Sequence, residues 1–598
     1  MMKVLKASAG SGKTYNLAKE YIKLLLLDRG REDGRPYRHI LAVTFTNKAT
    51  AEMKSRIVKE LDVLGKAPQA SPYLKELMAE TDLKSPEAVS AECRKALSAI
   101  LADYGAFSVS TIDKFFQRVL RAFSREIGQI AQYQVELDKE MLVQECVDRV
   151  LDSIQGQQDE LLKWLSRCCI ETIEEGEGYH LESRLASFAS GYMSEGYRKK
   201  VEQLGIDTSK VFAEDSIRQL KTICKKIITD FDRGFKAAAE RLCTVAEGCD
   251  GLNKNFLKYC QGLNSYRSGD ELDFSKPTWR NALENFDKLF VKGSRASEAD
   301  RAALSAAVAE VQNYALLYPT VSTARLLRSQ VDLFYVADRL DKEFDALLKE
   351  KNVLSLEDSN TLLREIISDD NAPFIYEKVG VHYWHFLLDE FQDTSVVQWD
   401  NFKPLLLNSL ASNFYNLIVG DVKQSIYRWR NADWDILDSR VQNELPDVSQ
   451  QSLDCNWRSA RKIVEFNNGF YKYLAETLDR QLPCRLPQIY ADVQQQAKCA
   501  IEAEGYVEVS FVGVDCIVPS VVKAVLRASE MGFRWKDVAV IVRTNAMGAE
   551  VASALVDADV PVISNDSLKI CSSEVVRRLV SCLSVLDDPS DRIGGYFA

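Results

Sequence analysis

The stretch "LKASAGSGKTYNLAKEY", from Leu5 to Tyr21, restricts the fold more than any other feature of the sequence. Val4 and Leu5 read as the end of a buried strand, and Leu17, Ala18, Tyr21, Ile22, Leu24 and Leu25 recur at the spacing of an amphipathic helix. A small-residue loop in that position can point successive N–H groups, here those of Ala9, Gly10, Ser11, Gly12 and Lys13, at an anion, with the helix dipole adding to the attraction. The pattern G-x-x-x-x-G-K-[ST] is met except that Ala7 stands at the first glycine. Lys13 is therefore expected to reach the outer phosphates of a nucleotide, and Thr14 to bind Mg2+. The competing reading is a glycine-rich turn that only caps a helix; the flanking strand and helix argue against it.

Further strand-to-helix units follow at "HILAVTFTNKATAEMKSRI" and "FSVSTIDKFFQRVLRAF", and a strong strand reappears only at "HYWHFLLDEFQDTS". The intervening sequence is mostly polar and helical and too long for a loop, so residues 129–345 are expected to be a helical inserted domain. The expected organisation is a first α/β domain in two parts, 1–128 and 346–447, and a second over 448–598 with strands at "GYVEVSFV" and "DVAVIVRTN". The fold class is α/β, with parallel sheets interrupted by helices.

Composition narrows the setting. No apolar run reaches the roughly 18–20 residues a membrane span needs, and no signal-peptide pattern precedes the loop, so no membrane partner and a cytoplasmic location are expected. The 14 cysteines lack C-x-x-C spacing, which points to reduced thiols. With a net charge of −11, any nucleic-acid site must be a local surface rather than an overall basic face.

In "FLLDEFQDTS" the apolar run delivers Asp389 and Glu390 to the end of a strand, where α/β sheets present ligands. Asp389 is expected to share a magnesium ion with Thr14, and Glu390 to orient or deprotonate the attacking water. In "VGDVKQSIYRWR", Gln424 is placed to sense the nucleotide, Trp429 offers a face to a nucleobase, and Arg428 and Arg430 offer phosphate contacts. A core tryptophan with surface arginines is the alternative for that tripeptide.

These motifs, in this order, resemble those of superfamily 1 DNA helicases of the UvrD/Rep type, most closely the RecB/AddA-like branch. The resemblance implies RecA-like domains, ATP and Mg2+ as ligands, and single-stranded or tailed duplex DNA as partner. It assigns DNA contacts to Thr44, Phe45, Asn47, Lys48, Thr111 and Phe115, and base stacking to Tyr427 and Trp429. In "NWRS", Trp457 stands where the family stacks a tyrosine on adenine, and Arg458 matches an arginine that contacts the γ-phosphate. It further implies 3′-to-5′ movement, a role in DNA repair or recombination, and a partner chain within a helicase–nuclease. Two departures remain: the family's adenine-reading glutamine is not visible before the loop, and nothing after "LDDPSDRIGGYFA" supplies the last two motifs or a nuclease domain. The expectation is the N-terminal portion of a longer protein, with a weakly active or inactive ATPase in this chain; the rival reading is a nucleotide-gated single-stranded-DNA-binding subunit without unwinding.

Overall fold

The structure is a computed structural model that describes residues 1–30, 34–123, 134–136, 139–154, 160–174, 181–194, 197, 200–201, 203–291, 293–351, 353–355, 380–428, 431–481, 484–500, 504–564 and 574–587. The chain forms two units, Met1–Ser459 with Asn467–Ala500, and Ala460–Phe466 with Ile501–Ala598.

The first unit is built on a six-stranded sheet of β1 (Met2–Ala7), β2 (Ile40–Thr44), β3 (Val109–Thr111), β6 (His385–Leu388), β7 (Asn416–Gly420) and β8 (Val448–Leu453). Their order is β3-β2-β6-β7-β1-β8, every neighbouring pair parallel. The central strands are apolar at successive positions because both faces are covered. Met2 and Val4, Leu41 and Val43, Phe386 and Leu388, and Ile418 belong to one core; Leu5 and Ala7, Ile40 and Ala42, Leu387, and Leu417 and Val419 belong to the other. That alternation is the two-residue period of a strand. Helices α1 (Lys13–Leu27) and α2 (Asn47–Lys66) cover the second face with Leu17, Ile22, Ile57 and Leu61; helices Ile112–Ala122 and Val396–Ala411 cover the first with Phe115, Phe116, Trp399 and Phe402.

Between the helix ending at Ala122 and β6, most described elements are helices, including the long pair Glu214–Gly248 and Glu298–Gln330 around their own core of Phe235, Leu242 and Val311. A short parallel pair, β4 (Gln134–Glu136) with β5 (Val353–Ser355), joins the two ends of this helical stretch.

Two sequence expectations change here. β8, assigned to the second α/β domain, pairs along β1 from Met2↔Val448 to Ala7↔Leu453 and is the edge strand of the first sheet. In the second unit the segments "GYVEVSFV" and "DVAVIVRTN" have strand-like composition but no strand pairing among the described residues; Phe511 and Ile541 are 97% and 95% exposed. β-propensity describes fit to a half-buried pleated surface, and a segment becomes a strand only when a neighbour supplies its hydrogen bonds. What packs in that unit is a small core of Val525, Val551, Leu555 and Val560.

Candidate active site

The loop from Ser8 to Gly12 leaves the C-terminal end of β1 and enters α1, whose N-cap is Gly12 in the left-handed region with no side-chain cap. No acidic residue lies in the first turn. Ser11 closes the loop internally, its N–H and hydroxyl both donating to Ser8 O at 3.1 and 2.7 Å. Among the described residues the N–H groups of Gly10, Gly12, Lys13 and Thr14 make no backbone hydrogen bond. A helix start with free donors and no competing carboxylate is an anion site.

The loop's carbonyls face the other way and are held. Ala9 O accepts from Asn456 Nδ2 and Gln495 Nε2, both at 3.1 Å, and Gly10 O accepts from Trp457 N at 2.9 Å. Gly10 has φ 77°, and a Cβ there would lie 2.6 Å from Asn456 Oδ1, so glycine is required both by conformation and by this close approach.

Opposite the loop, Lys13 Nζ donates to Glu390 Oε2 at 2.7 Å and to Gln424 Oε1 at 3.1 Å, bringing together three residues far apart in sequence. Glu390 reaches this position from the end of β6 through a left-handed backbone, φ 48°, which is uncommon for a residue with a side chain. Gln392 Nε2 donates to the same Glu390 oxygen at 2.7 Å, while its Oε1 accepts from Asp421 N at 3.0 Å. Gly420 permits this crossing, since a Cβ there would be 2.8 Å from Gln392 Oε1. Asp421 in turn accepts from Gln424 Nε2 at 2.7 Å and pairs with Lys423 at 3.0 Å.

Asp389 is 6% exposed. Burial, and then the neighbouring Glu390 charge, push its carboxyl up to about 7. Thr14 is half-buried in the first turn of α1. Carboxylate and hydroxyl oxygens are the hard donors that Mg2+ takes, so the chemistry of these two side chains fits the ion. Asp393, also buried, is pushed up to about 6 chiefly by desolvation.

The residues assigned to DNA by resemblance divide. Phe45 and Tyr427 lie side by side with ring centroids 4.6 Å apart, both half-buried, and Asn47 and Lys48 are exposed in the first turn of α2. Phe115, in contrast, is 2% exposed and packs against Phe116, Tyr383 and Phe402, so its ring has no surface for a base; its role is structural. Thr44 is fully buried with its hydroxyl engaged by Thr46 O and Thr50 Oγ1, and Thr111 uses its hydroxyl to cap the next helix through Lys114 N. These two threonines shape the starts of helices rather than offering side chains to a strand. Trp457 is 60% exposed beside the loop, and Arg458 is exposed next to it. Trp429 and Arg430 lie outside the described residues. Asn456, Gln495, Gln392 and Asp421 carry no expectation from the sequence; Gln392, Asp421 and Asn456 stand inside quoted motifs, whereas Gln495 has no local signal.

A parallel sheet with a phosphate-type loop on one strand and paired carboxylates on another defines a P-loop nucleotide-binding protein. The chain belongs to the UvrD/REP helicase family: residues 2–444 match that family's N-terminal domain. It is similar to an ATP-dependent helicase/nuclease subunit of Lactobacillus gasseri, 22% identical over 655 residues, covering 99% of this chain and 51% of that protein. It is likewise similar to the proteins of the same name from Bacillus pumilus, 23% identical with 98% and 50% coverage, and Staphylococcus aureus, 22% identical with 98% and 49% coverage. The chain spans about half the length of these curated relatives. Among the described residues no helix is long and apolar enough to cross a membrane.

Proposed function

We propose that this chain carries the nucleotide-driven motor site of an ATP-dependent superfamily 1 DNA helicase or translocase. The observation that carries the reading is the convergence of Lys13, Glu390 and Gln424 in front of an uncapped helix N-terminus. When bound, a magnesium nucleotide supplies the phosphoanhydride to be cleaved and the cation, held by Thr14 and Asp389, that offsets its charge. Lys13 exchanges the Glu390 carboxylate for phosphate oxygens. Glu390, released from its ion pair, accepts a proton from water, and Arg458 offers a further positive charge to the phosphates. Gln424, held by Asp421, reports the change to Tyr427 three residues on, where the Phe45–Tyr427 pair offers stacking faces to a single strand. Trp457 offers a face to the adenine.

The same reading includes 3′-to-5′ movement on single-stranded or tailed duplex DNA, work in DNA repair or recombination, and a partner chain. The family resemblance supports these, and the naming of the relatives as subunits of a helicase/nuclease supports the last. ATP turnover by the purified chain, with and without single-stranded DNA, tests the enzymatic claim. Turnover that disappears in Glu390→Gln supports it, and equal turnover in wild type and variant overturns it.

A further inference from the structure

The segment 485–496 belongs to the first unit and touches two sides of the nucleotide site. At its start the Arg485 guanidinium donates to Asp435 Oδ1 and Asp438 Oδ2, both at 2.6 Å, and lies over the Trp434 ring at 5.1 Å. Towards its end Gln495 donates to the phosphate-loop carbonyl of Ala9 at 3.1 Å. Asn468 fixes the Gln495 backbone, donating to its O at 2.9 Å and accepting from its N at 3.0 Å. Between these anchors Asp492 Oδ1 accepts from Lys423 Nζ at 2.8 Å.

Lys423 is shared between two carboxylates, Asp492 at 2.8 Å and Asp421 at 3.0 Å, with its side chain only 12% exposed. The Asp421 carboxylate is divided in turn. Its Oδ1 takes the Lys423 ammonium and backbone N–H, while Oδ2 accepts from Gln424 Nε2 at 2.7 Å. That second bond leaves Gln424 Oε1 to accept from Lys13 Nζ at 3.1 Å. An ammonium with a single carboxylate partner competes for both of its oxygens, and a charge-assisted bond outweighs one from a neutral amide. Asp492 gives the ammonium a second acceptor and so leaves Oδ2 to the glutamine. The Asp492 side chain is 42% exposed, and an ion pair open to water on one side contributes little to folding.

We propose that Asp492 is a positioning residue for Gln424, acting through Lys423 and Asp421, and that the segment carrying it sets this glutamine against the phosphate loop held by Gln495. The role rests on the nucleotide-site reading above and puts Gln424 at the outermost phosphate. Its consequence is selectivity between nucleotides. Gln495 acts on the loop, which meets phosphates common to ATP and ADP, whereas Asp492 acts on the group that meets the phosphate ADP lacks.

The test is calorimetric titration of the purified chain with Mg2+-ADP and with a non-hydrolysable Mg2+-ATP analogue, for wild type, Asp492→Ala and Asp492→Glu. Thermal denaturation checks that each variant is folded. Asp492→Ala is expected to weaken the ATP analogue about fivefold or more and to leave ADP within about twofold, because one hydrogen bond to a charged group is lost from one nucleotide only. Asp492→Glu keeps the carboxylate and retains the wild-type ratio of the two affinities. In a Gln424→Ala background, Asp492→Ala has no further effect on that ratio. An equal loss of both nucleotides in Asp492→Ala, or no loss of either, overturns the positioning role. So does an Asp492→Ala variant that fails to fold, because the residue is then structural. Wild-type binding of both nucleotides that Lys13→Ala loses leaves the nucleotide site intact in each of those cases. No binding of either nucleotide by wild type overturns both.

Discussion

Lys13 Nζ donates to Glu390 Oε2 at 2.7 Å, so in this structure the loop lysine is held by the carboxylate that is proposed to act on water. Binding phosphate means breaking that pair. Glu390→Gln removes the competitor and the proton acceptor together. Nucleotide affinity in this variant is expected to equal or exceed wild type while hydrolysis falls by at least about 100-fold. Calorimetric binding alongside phosphate release reads both, and a variant that loses affinity would make Glu390 a binding rather than a catalytic group.

The aromatic residues separate by exposure. Phe45→Ala and Tyr427→Ala are each expected to cost about 1–3 kcal/mol of single-stranded DNA affinity with little dependence on base sequence. Phe115→Ala is expected to cost about 3–5 kcal/mol of folding stability in denaturant titration, with the DNA affinity of the folded fraction unchanged. Specific loss of DNA binding by a fully stable Phe115 variant would restore it to the track.

Gln495 and Asn456 hold the Ala9 carbonyl from outside the loop. Gln495→Ala removes one neutral hydrogen bond, worth about 0.5–1.5 kcal/mol, so nucleotide binding is expected to weaken by about threefold to tenfold. Gln495→Glu turns a carboxylate toward that carbonyl oxygen and is expected to be worse. Equal affinity in all three proteins would show that the loop holds its shape unaided.

What could be read from the sequence follows from how local each signal is. The loop, the strands β1, β2, β6 and β7 and the helices behind them rest on short-range periodicity and turn chemistry, and they form where those signals place them. The meeting of Lys13 with Glu390 and Gln424 was legible only through the ordered motifs, since nothing local to Lys13 names its partners. Gln495 was not legible because a lone glutamine acquires its role from a carbonyl on the far side of the chain. Phe115 was misassigned because position in a motif says nothing about which way a helical side chain faces; its neighbours Phe116, Val119 and Leu120 mark that face as buried. The strand-like segments of the second unit satisfy local preference, but pairing is a long-range property.

Glu444 links helix Val396–Ala411 to the segment after Arg440, accepting from Trp399 Nε1 at 2.9 Å and Arg440 Nε at 2.6 Å and pairing with Lys403 at 3.2 Å. Burial alone would raise its carboxyl, but these donors hold it down at about 2, below the ordinary 4.5. A depressed acid stabilises the fold fully above its unfolded value and loses that contribution as pH falls from about 4.5 toward 2. Glu444→Gln is therefore expected to lower stability near neutral pH and to flatten the acid limb of the stability curve. Parallel curves for wild type and variant between pH 2 and 5 would show that Glu444 does not contribute to the acid limb.

The proposed motor depends on coupling, within one chain, between the Lys13–Glu390 nucleotide site and the Phe45–Tyr427 face. It is tested most directly by titrating a labelled oligothymidylate with and without a non-hydrolysable ATP analogue and Mg2+. The analogue is expected to change DNA affinity by about fivefold or more in wild type and not at all in Lys13→Ala. The same DNA affinity with and without saturating analogue in wild type would contradict it.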